Sequence, residues 1–206
     1  MLRLTTALLC LLVVSVVVCG TESAQPSESS IHVECHGQLR HGVAAIGSET
    51  TGTTIRFNGI VWELKLNDDD TRAWAEAHHK QPVTVTGSLR RVAGVEVPVR
   101  WIVDVKRLVE RDASKHQEKT NVTVLGTLKA KEKTSNSVVT TVIEADGISW
   151  PLDLRADTVL QAKAESLVHK PAVVKGQIES PSKTDPLSKM ILRVSDLDAV
   201  PASASK

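Results

Sequence analysis

Segments in which every second residue is apolar recur along residues 31–200, and this period is typical of β-strands that bury one face. The clearest is segment 60–66 (IVWELKL), whose odd-numbered positions are more polar than its even-numbered ones. Helical spacing of apolar residues occurs only near 69–80 and 157–168, and each of these stretches ends before a proline. Asp69 or Asp70 is expected to cap the first helix, and Asp157 the second. The pattern predicts three strands, a helix and two strands, twice over.

The two sets of elements share their sequence blocks, with the second set about 90 residues after the first. GQL at 37–39 corresponds to GTL at 126–128, GIVWELKL at 59–66 to GISWPLDL at 147–154, and PVTVTG at 82–87 to PAVVKG at 171–176. Because glycines, tryptophans and apolar alternation coincide, we expect a duplicated module. The predicted modules span 31–111 and 121–200, with a polar spacer at 21–30, a linker at 112–120 and a tail at 201–206.

The order of elements in each module resembles the oligonucleotide/oligosaccharide-binding (OB) fold, a five-stranded barrel with its helix between strands 3 and 4. The resemblance implies a mainly β protein with one helix per module, built as two tandem five-stranded OB-like barrels. Another small β-barrel, or an open five-stranded sheet, would give the same pattern. Structural roles are expected for two tryptophans in the buried phase of strand 3 and for four glycines within strands: Trp62, Trp150, Gly37, Gly126, Gly87 and Gly176.

The N-terminus predicts a secretory signal over residues 1–20. Arg3 precedes an uncharged apolar run that ends at Gly20, and cleavage is expected after Gly20 or after Ala24. No later segment has the apolar length of a transmembrane helix. The sequence therefore predicts export to the periplasm or the extracellular space.

Cysteine usage leaves a lipid anchor open. Cys19 is followed by Gly20 as in bacterial lipoprotein signals, but Val18 stands where a small residue is expected. Of the three cysteines only Cys35 lies beyond the signal, so no internal disulfide is expected.

Charge and aromatic content argue against nucleic acid as a partner. The chain has 25 basic and 24 acidic residues, no tyrosine, one phenylalanine and four tryptophans. Proteins that bind single strands usually combine a basic groove with exposed aromatic rings. The expected partner is therefore an unknown protein or an anionic saccharide.

Five arginines of the first module form the candidate ligand site. In an OB-like barrel the ligand groove is implied to lie over strands 2 and 3, between the loops after strands 1 and 4. Arg56 falls on strand 2, and the others fall in or beside these loops: Arg40, Arg90, Arg91 and Arg100. Guanidinium groups gathered there would suit an anionic ligand. An ordinary mixed surface is the alternative, since Glu49 and Glu96 share the loops.

A metal site is the second candidate. His32, Glu34 and His36 occupy alternate positions of strand 1 and would share one face, where imidazole and carboxylate could hold zinc or copper. A fourth ligand is lacking nearby, and the second module has no such stripe. We therefore expect a solvated strand face, with no metal and no cofactor.

Catalytic motifs are missing from the sequence. It contains no nucleophile elbow, phosphate-binding loop or zinc-protease helix. The function predicted from sequence is an exported, non-enzymatic binding or interaction protein of unknown ligand, with an anion as the candidate ligand. The alternatives are a metal-dependent or hydrolytic enzyme, and an architectural envelope component or lipoprotein.

Overall fold

The computed structural model describes residues 29–44, 50–95, 98–112, 114, 117–132, 139–155, 157–180 and 190–201. Within these ranges the chain is mainly β, with ten strands and two helices. The predicted signal, Cys19, most of the spacer and nearly all of the tail lie outside the described residues. The strands are β1 (Ser30–His41), β2 (Thr53–Phe57), β3 (Ile60–Lys65), β4 (Pro82–Val92), β5 (Arg100–Glu110), β6 (Lys119–Glu132), β7 (Val139–Ala145), β8 (Ile148–Asp153), β9 (Pro171–Glu179) and β10 (Ile191–Ala199), and the helices are α1 (Asp69–Ala77) and α2 (Thr158–Ser166).

The first five strands close into a barrel. They pair in the order β2-β3-β5-β4-β1, and β1 pairs again with β2. The β3–β5 pair is parallel and the other pairs are antiparallel. The other five strands pair in the same way, with order β6-β7-β8-β10-β9, closure of β9 on β6 and a parallel β8–β10 pair. The open five-stranded sheet is therefore wrong as an alternative, because every strand has a partner on each side.

Glycine allows β1 to change partners. β1 pairs with β4 up to Gln38 and with β2 from Gln38 onward, so it bends around Gly37. A Cβ atom on Gly37 would collide with the backbone carbonyl of Arg56 on β2. The other three strand glycines face a backbone carbonyl in the same way: Gly87 faces Asp104, Gly126 faces Glu144 and Gly176 faces Arg193. The missing side chains let neighbouring strands approach closely where the barrels curve.

An antiparallel ladder between β1 and β6 joins the two barrels. It runs from Ser30 opposite Leu125 to His36 opposite Lys119, with Val33 opposite Val122 near its centre. The chain ahead of each strand also contacts a hairpin turn of the other barrel. Ser29 Oγ donates to Asp146 Oδ1 (2.7 Å), and the Asn58 amide donates to Glu118 Oε2 (2.5 Å). The ladder and these paired contacts relate the barrels by an approximate two-fold axis.

The cores of the two barrels meet where Trp101 packs against Trp150. Trp62 and Trp150 are at most 2% exposed, and Phe57 packs edge-on against Trp62 with ring centroids 4.9 Å apart. Trp101 of β5 contacts Trp150 of β8, with ring centroids 5.1 Å apart. The buried side chains of both barrels thus form one connected apolar cluster.

The first helix begins and ends earlier than the sequence pattern predicts. Its N-cap is Asp68, whose carboxylate accepts a hydrogen bond from the Thr71 amide (2.7 Å). It ends at Ala77 because Lys80 takes a positive φ and its amide donates to the Leu39 carbonyl of β1. The helix buries Ala75 and half-buries Trp74 against the core, while Ala73 and Ala77 are exposed. The second helix does have Asp157 as its N-cap.

Cys35 provides a test of the buried phase of β1. Its side chain is fully buried, and burial, with a smaller effect from the charge of Glu34, raises the pKa of the thiol far above its usual range. Since the thiolate is the reactive form, we expect native protein spanning residues 25–206 not to react with DTNB. In denaturant one thiol per chain should react. Rapid reaction of the native protein would show that this side of β1 faces solvent.

Candidate functional site

The outer surface of β2, β3 and β5 forms the face on which OB-like barrels are expected to hold ligands. Arg56 is exposed on β2, and its cross-strand neighbour on β3 is Val61, a valine that is 45% exposed. Arg40, on the adjacent end of β1, is also exposed. Within the described part of the chain neither arginine forms a salt bridge. We call the outward side chains of Arg40, Arg56 and Val61, with Glu63 and Arg100 beside them, the arginine face.

Arg100 does not offer a cation to a ligand as the sequence pattern suggests. Its Nε donates to Glu63 Oε1 (2.7 Å) and its Nη2 to Glu63 Oε2 (2.6 Å), a bidentate pair in which each side chain is only 16% exposed. Oε2 also accepts the Thr51 amide (2.9 Å). Burial raises the pKa of Glu63, but the hydrogen bonds from Arg100 and Thr51 outweigh it, so the pKa lies below its ordinary value.

Arg90 and Arg91 point to opposite sides of β4. The sequence pattern ends this strand at Leu89, but β4 continues to Val92, so both arginines obey strand alternation and do not begin a loop. Arg90 Nε donates to Asp104 Oδ2 (2.7 Å), and Asp104 also lies 3.7 Å from Lys65 Nζ. Arg91 is exposed, with its backbone opposite Trp101. The five predicted arginines therefore do not form one cluster.

The corresponding face of the second barrel has its cations paired. Lys129 and Lys131 both contact the carboxylate of Glu144, at 2.5 and 3.3 Å. Arg193 pairs with Glu179 and approaches Asp153. Among the described residues of these two faces, exposed basic side chains without a salt bridge, Arg40 and Arg56, are therefore found on the first barrel.

The candidate metal ligands lie where the two barrels join. His36 Nε2 donates to Glu34 Oε1 (2.9 Å), and Arg111 donates to His36 Nδ1, so both ring nitrogens are occupied. Glu34 Oε1 also accepts from Asn121 of β6 (3.3 Å). Burial is the largest cause of a lowered His36 pKa, which favours neutral imidazole. His32 is exposed. Over the ranges that the structure covers, no three His, Cys, Asp or Glu side chains are grouped so as to hold a metal ion.

Glu63 is the residue of this face that sequence reasoning missed. It occupies an outward position of β3, where strand alternation predicts a polar side chain but not its partners. Its partners come from elsewhere along the chain, since Arg100 is 37 residues further on. The one signal in the sequence that could have identified Glu63 was the presence of a carboxylate among the arginines predicted for this face.

No helix among the described residues combines the length and the apolar character needed to span a membrane.

Two solved structures resemble this chain over most of its length. No protein-family model and no curated protein matches the sequence. The wild-type single-stranded DNA binding protein from Thermus aquaticus has a TM-score of 0.55 and 11% identity, over 87% of this chain and 97% of its own. A deletion mutant of that protein has a TM-score of 0.53 and 11% identity, over 86% and 98%. Together with the closed barrel and the helix between β3 and β4, this likeness confirms the resemblance to the OB fold.

The likeness corrects two expectations drawn from sequence. The expected ligand, a protein or an anionic saccharide, and the exclusion of nucleic acid are wrong, because the structural neighbours are single-stranded DNA binding proteins. The exclusion used the low aromatic content of the chain and its net charge, which is +1. A net charge summed over the whole chain hides local differences. Many basic side chains are neutralised by ion pairs, whereas the positive charges of Arg40 and Arg56 are exposed.

Proposed function

We propose that this chain binds single-stranded nucleic acid on the arginine face of its first barrel. One observation carries the proposal: Arg40 and Arg56 are exposed, and they form no salt bridge with the described residues, beside Val61 on the face that OB-like barrels use. The fold is shared with single-stranded DNA binding proteins, which supports this ligand class over other anions. Guanidinium groups bind phosphate oxygens with well-defined geometry.

We also propose that the chain is two tandem OB-type domains. The strand pairings of β1–β5 correspond one by one to those of β6–β10, and each set has one helix after its third strand. A β-bulge between the last two strands recurs beside Gly87 and Gly176. The structural likeness covers 86% of the chain, more than either barrel alone, which supports the proposal.

The side chains available favour contact with the sugar-phosphate backbone over base stacking. The Trp and Phe side chains of the chain all lie in described regions, and all except Trp74 are buried. Trp74 is half-buried on α1, and one of its faces is covered by His78, with ring centroids 3.7 Å apart. Stacking contributes about 1–3 kcal/mol per base in aromatic-rich sites. We therefore propose modest affinity with little sequence preference.

The proposal describes a binding protein and not an enzyme. The carboxylates of the arginine face and of its border, Glu63 and Asp104, are held in ion pairs with arginines. The pKa of Glu63 is lowered, so this carboxylate is not poised to exchange protons near neutral pH. The buried thiol of Cys35 has a raised pKa and is a poor nucleophile.

Export remains a proposal from the sequence of residues 1–20. N-terminal sequencing of protein secreted from its native cell should begin at Thr21 or Gln25. An intact mass that includes a diacylglyceryl group on Cys19 would indicate a lipoprotein instead.

The proposed ligand contact predicts a small salt dependence that two substitutions remove. Fluorescence anisotropy with a labelled oligo(dT) should give a slope of log K against log salt of about −1.4, because each phosphate neutralised on a single strand contributes about −0.7. In R40Q/R56Q the slope should approach zero. R72Q, on helix α1, removes an arginine elsewhere and should leave the slope unchanged.

Either of two results would contradict the proposed function. An R40Q/R56Q variant that binds like the wild type would show that the arginine face is not the site. A wild-type protein that does not bind oligo(dT) at low salt would rule out single-stranded DNA as the ligand.

A further inference from the structure

We infer that the Glu63–Arg100 pair is a positioning clamp, which fixes the start of β5 and the segment before β2 on either side of β3. The role of this clamp in binding rests on the proposed function. The carboxylate lies on β3 at the middle of the face. It receives Arg100 from the start of β5 on one side and the Thr51 amide from the segment before β2 on the other. Each half of the contact therefore joins a different flanking segment to the same carboxylate.

The clamp is tightly built for a contact on an outer face. Both side chains are 16% exposed, and the three hydrogen bonds lie between 2.6 and 2.9 Å. Charge-assisted bidentate bonds of this kind are stronger than neutral ones and fix direction as well as distance. The segment that Thr51 anchors is also held locally, since Thr51 Oγ1 donates to the Thr53 carbonyl and the Gly52 carbonyl accepts the Val43 amide. Glu63 therefore orders the start of β2, which bears Arg56.

The second barrel lacks the clamp. In β8 the residue after Trp150 is Pro151, where β3 has Glu63 after Trp62. Pro151 pairs with Val142 just as Glu63 pairs with Thr54, so the two residues hold matching places on their faces. The proline side chain has no acceptor that could bind an arginine and a loop amide. The clamp thus accompanies the arginine face in the same barrel, as expected if only this face is preorganised for a ligand.

Amide exchange tests the clamp without any ligand. In E63Q the neutral amide cannot accept the guanidinium fork and the Thr51 amide with the same strength, so the Thr51 amide should exchange about tenfold faster or more. D104N makes the same kind of chemical change near the same face, at a carboxylate that pairs with Arg90 and Lys65. It should leave Thr51 unchanged. Equal protection of Thr51 in E63Q and wild type would overturn the clamp, whether or not the protein binds nucleic acid.

Oligo(dT) binding tests what the clamp is for. E63Q and D104N each remove one negative charge, so electrostatics alone would tighten binding in both. If Glu63 preorganises the face, E63Q should instead bind about threefold to tenfold more weakly than D104N, the range expected for ordering one or two side chains. Tighter binding in both variants would show that Glu63 acts only as a charge. If E63Q does not fold, R100K gives the same readouts, because lysine keeps the charge but not the planar fork.

Discussion

Replacing Trp62 by alanine should lower the free energy of unfolding by about 3–5 kcal/mol, the range for truncating a buried tryptophan. The indole is fully buried and packs against Phe57, so the variant leaves a cavity that β2 and β3 cannot close without breaking their pairing. Urea unfolding followed by circular dichroism would measure the change. We expect the largest effect of any single substitution considered for this protein.

Phenylalanine at position 62 is the matched control. The indole nitrogen of Trp62 is buried without a hydrogen-bond partner in the structure. W62F therefore loses volume but no polar interaction, and it should cost well under half as much as W62A. A W62A variant that melts like the wild type yet loses oligo(dT) binding would show that Trp62 is a recognition residue on the surface.

The second large effect is expected at Gly37. Alanine there places a Cβ against the Arg56 carbonyl, and relief requires β1 and β2 to separate at the bend of β1. Overpacking of this kind costs about 1–3 kcal/mol, and more where the obstacle is backbone. Gly126→Ala should behave alike, because it meets the Glu144 carbonyl. Thermal unfolding of both variants would measure the cost.

Gly42 is the control that separates the two costs of replacing a glycine by alanine, steric conflict and an unfavourable backbone conformation. It has a φ of +72°, but a side chain added there would have open space around its Cβ, with nothing within 4 Å. Alanine at this site should cost about 1 kcal/mol, from the left-handed conformation alone. If Gly37→Ala is no worse than Gly42→Ala, then β1 and β2 are not in close contact at the bend.

The alternation of apolar and polar residues predicts which face of a strand is buried, and it does so well where the strand is regular. Trp62 shares the phase of Ile60 and Leu64, and all three are buried. The apolar pattern predicts less well where a strand ends, because consecutive polar residues can interrupt it before the strand stops. Arg90 and Arg91 follow Leu89, so they resemble the start of a loop, and only the pairing of β4 with β5 keeps them extended.

Partners across the barrel could not be predicted, because strand period fixes direction and not neighbours. Nothing local to Glu63 points to Arg100, and nothing local to His36 points to Arg111, which lies 75 residues away. The same limit hid the ladder between β1 and β6. Composition misled in a different way, since ion pairing, and not the number of cations, decides which arginines a ligand can reach.

The ladder between β1 and β6 also has a consequence for assembly at high concentration. It joins segments far apart in the chain, as the 87-residue separation of Glu34 and Asn121 shows, so it has a high contact order and should form late in folding. Until then each barrel presents a bare strand edge that fits the other barrel of any copy. Two chains that meet at this stage can exchange halves, giving a domain-swapped dimer with the same hydrogen bonds as the monomer. Refolding at rising protein concentration should therefore increase the share of dimer, while native monomer, once formed, should convert slowly.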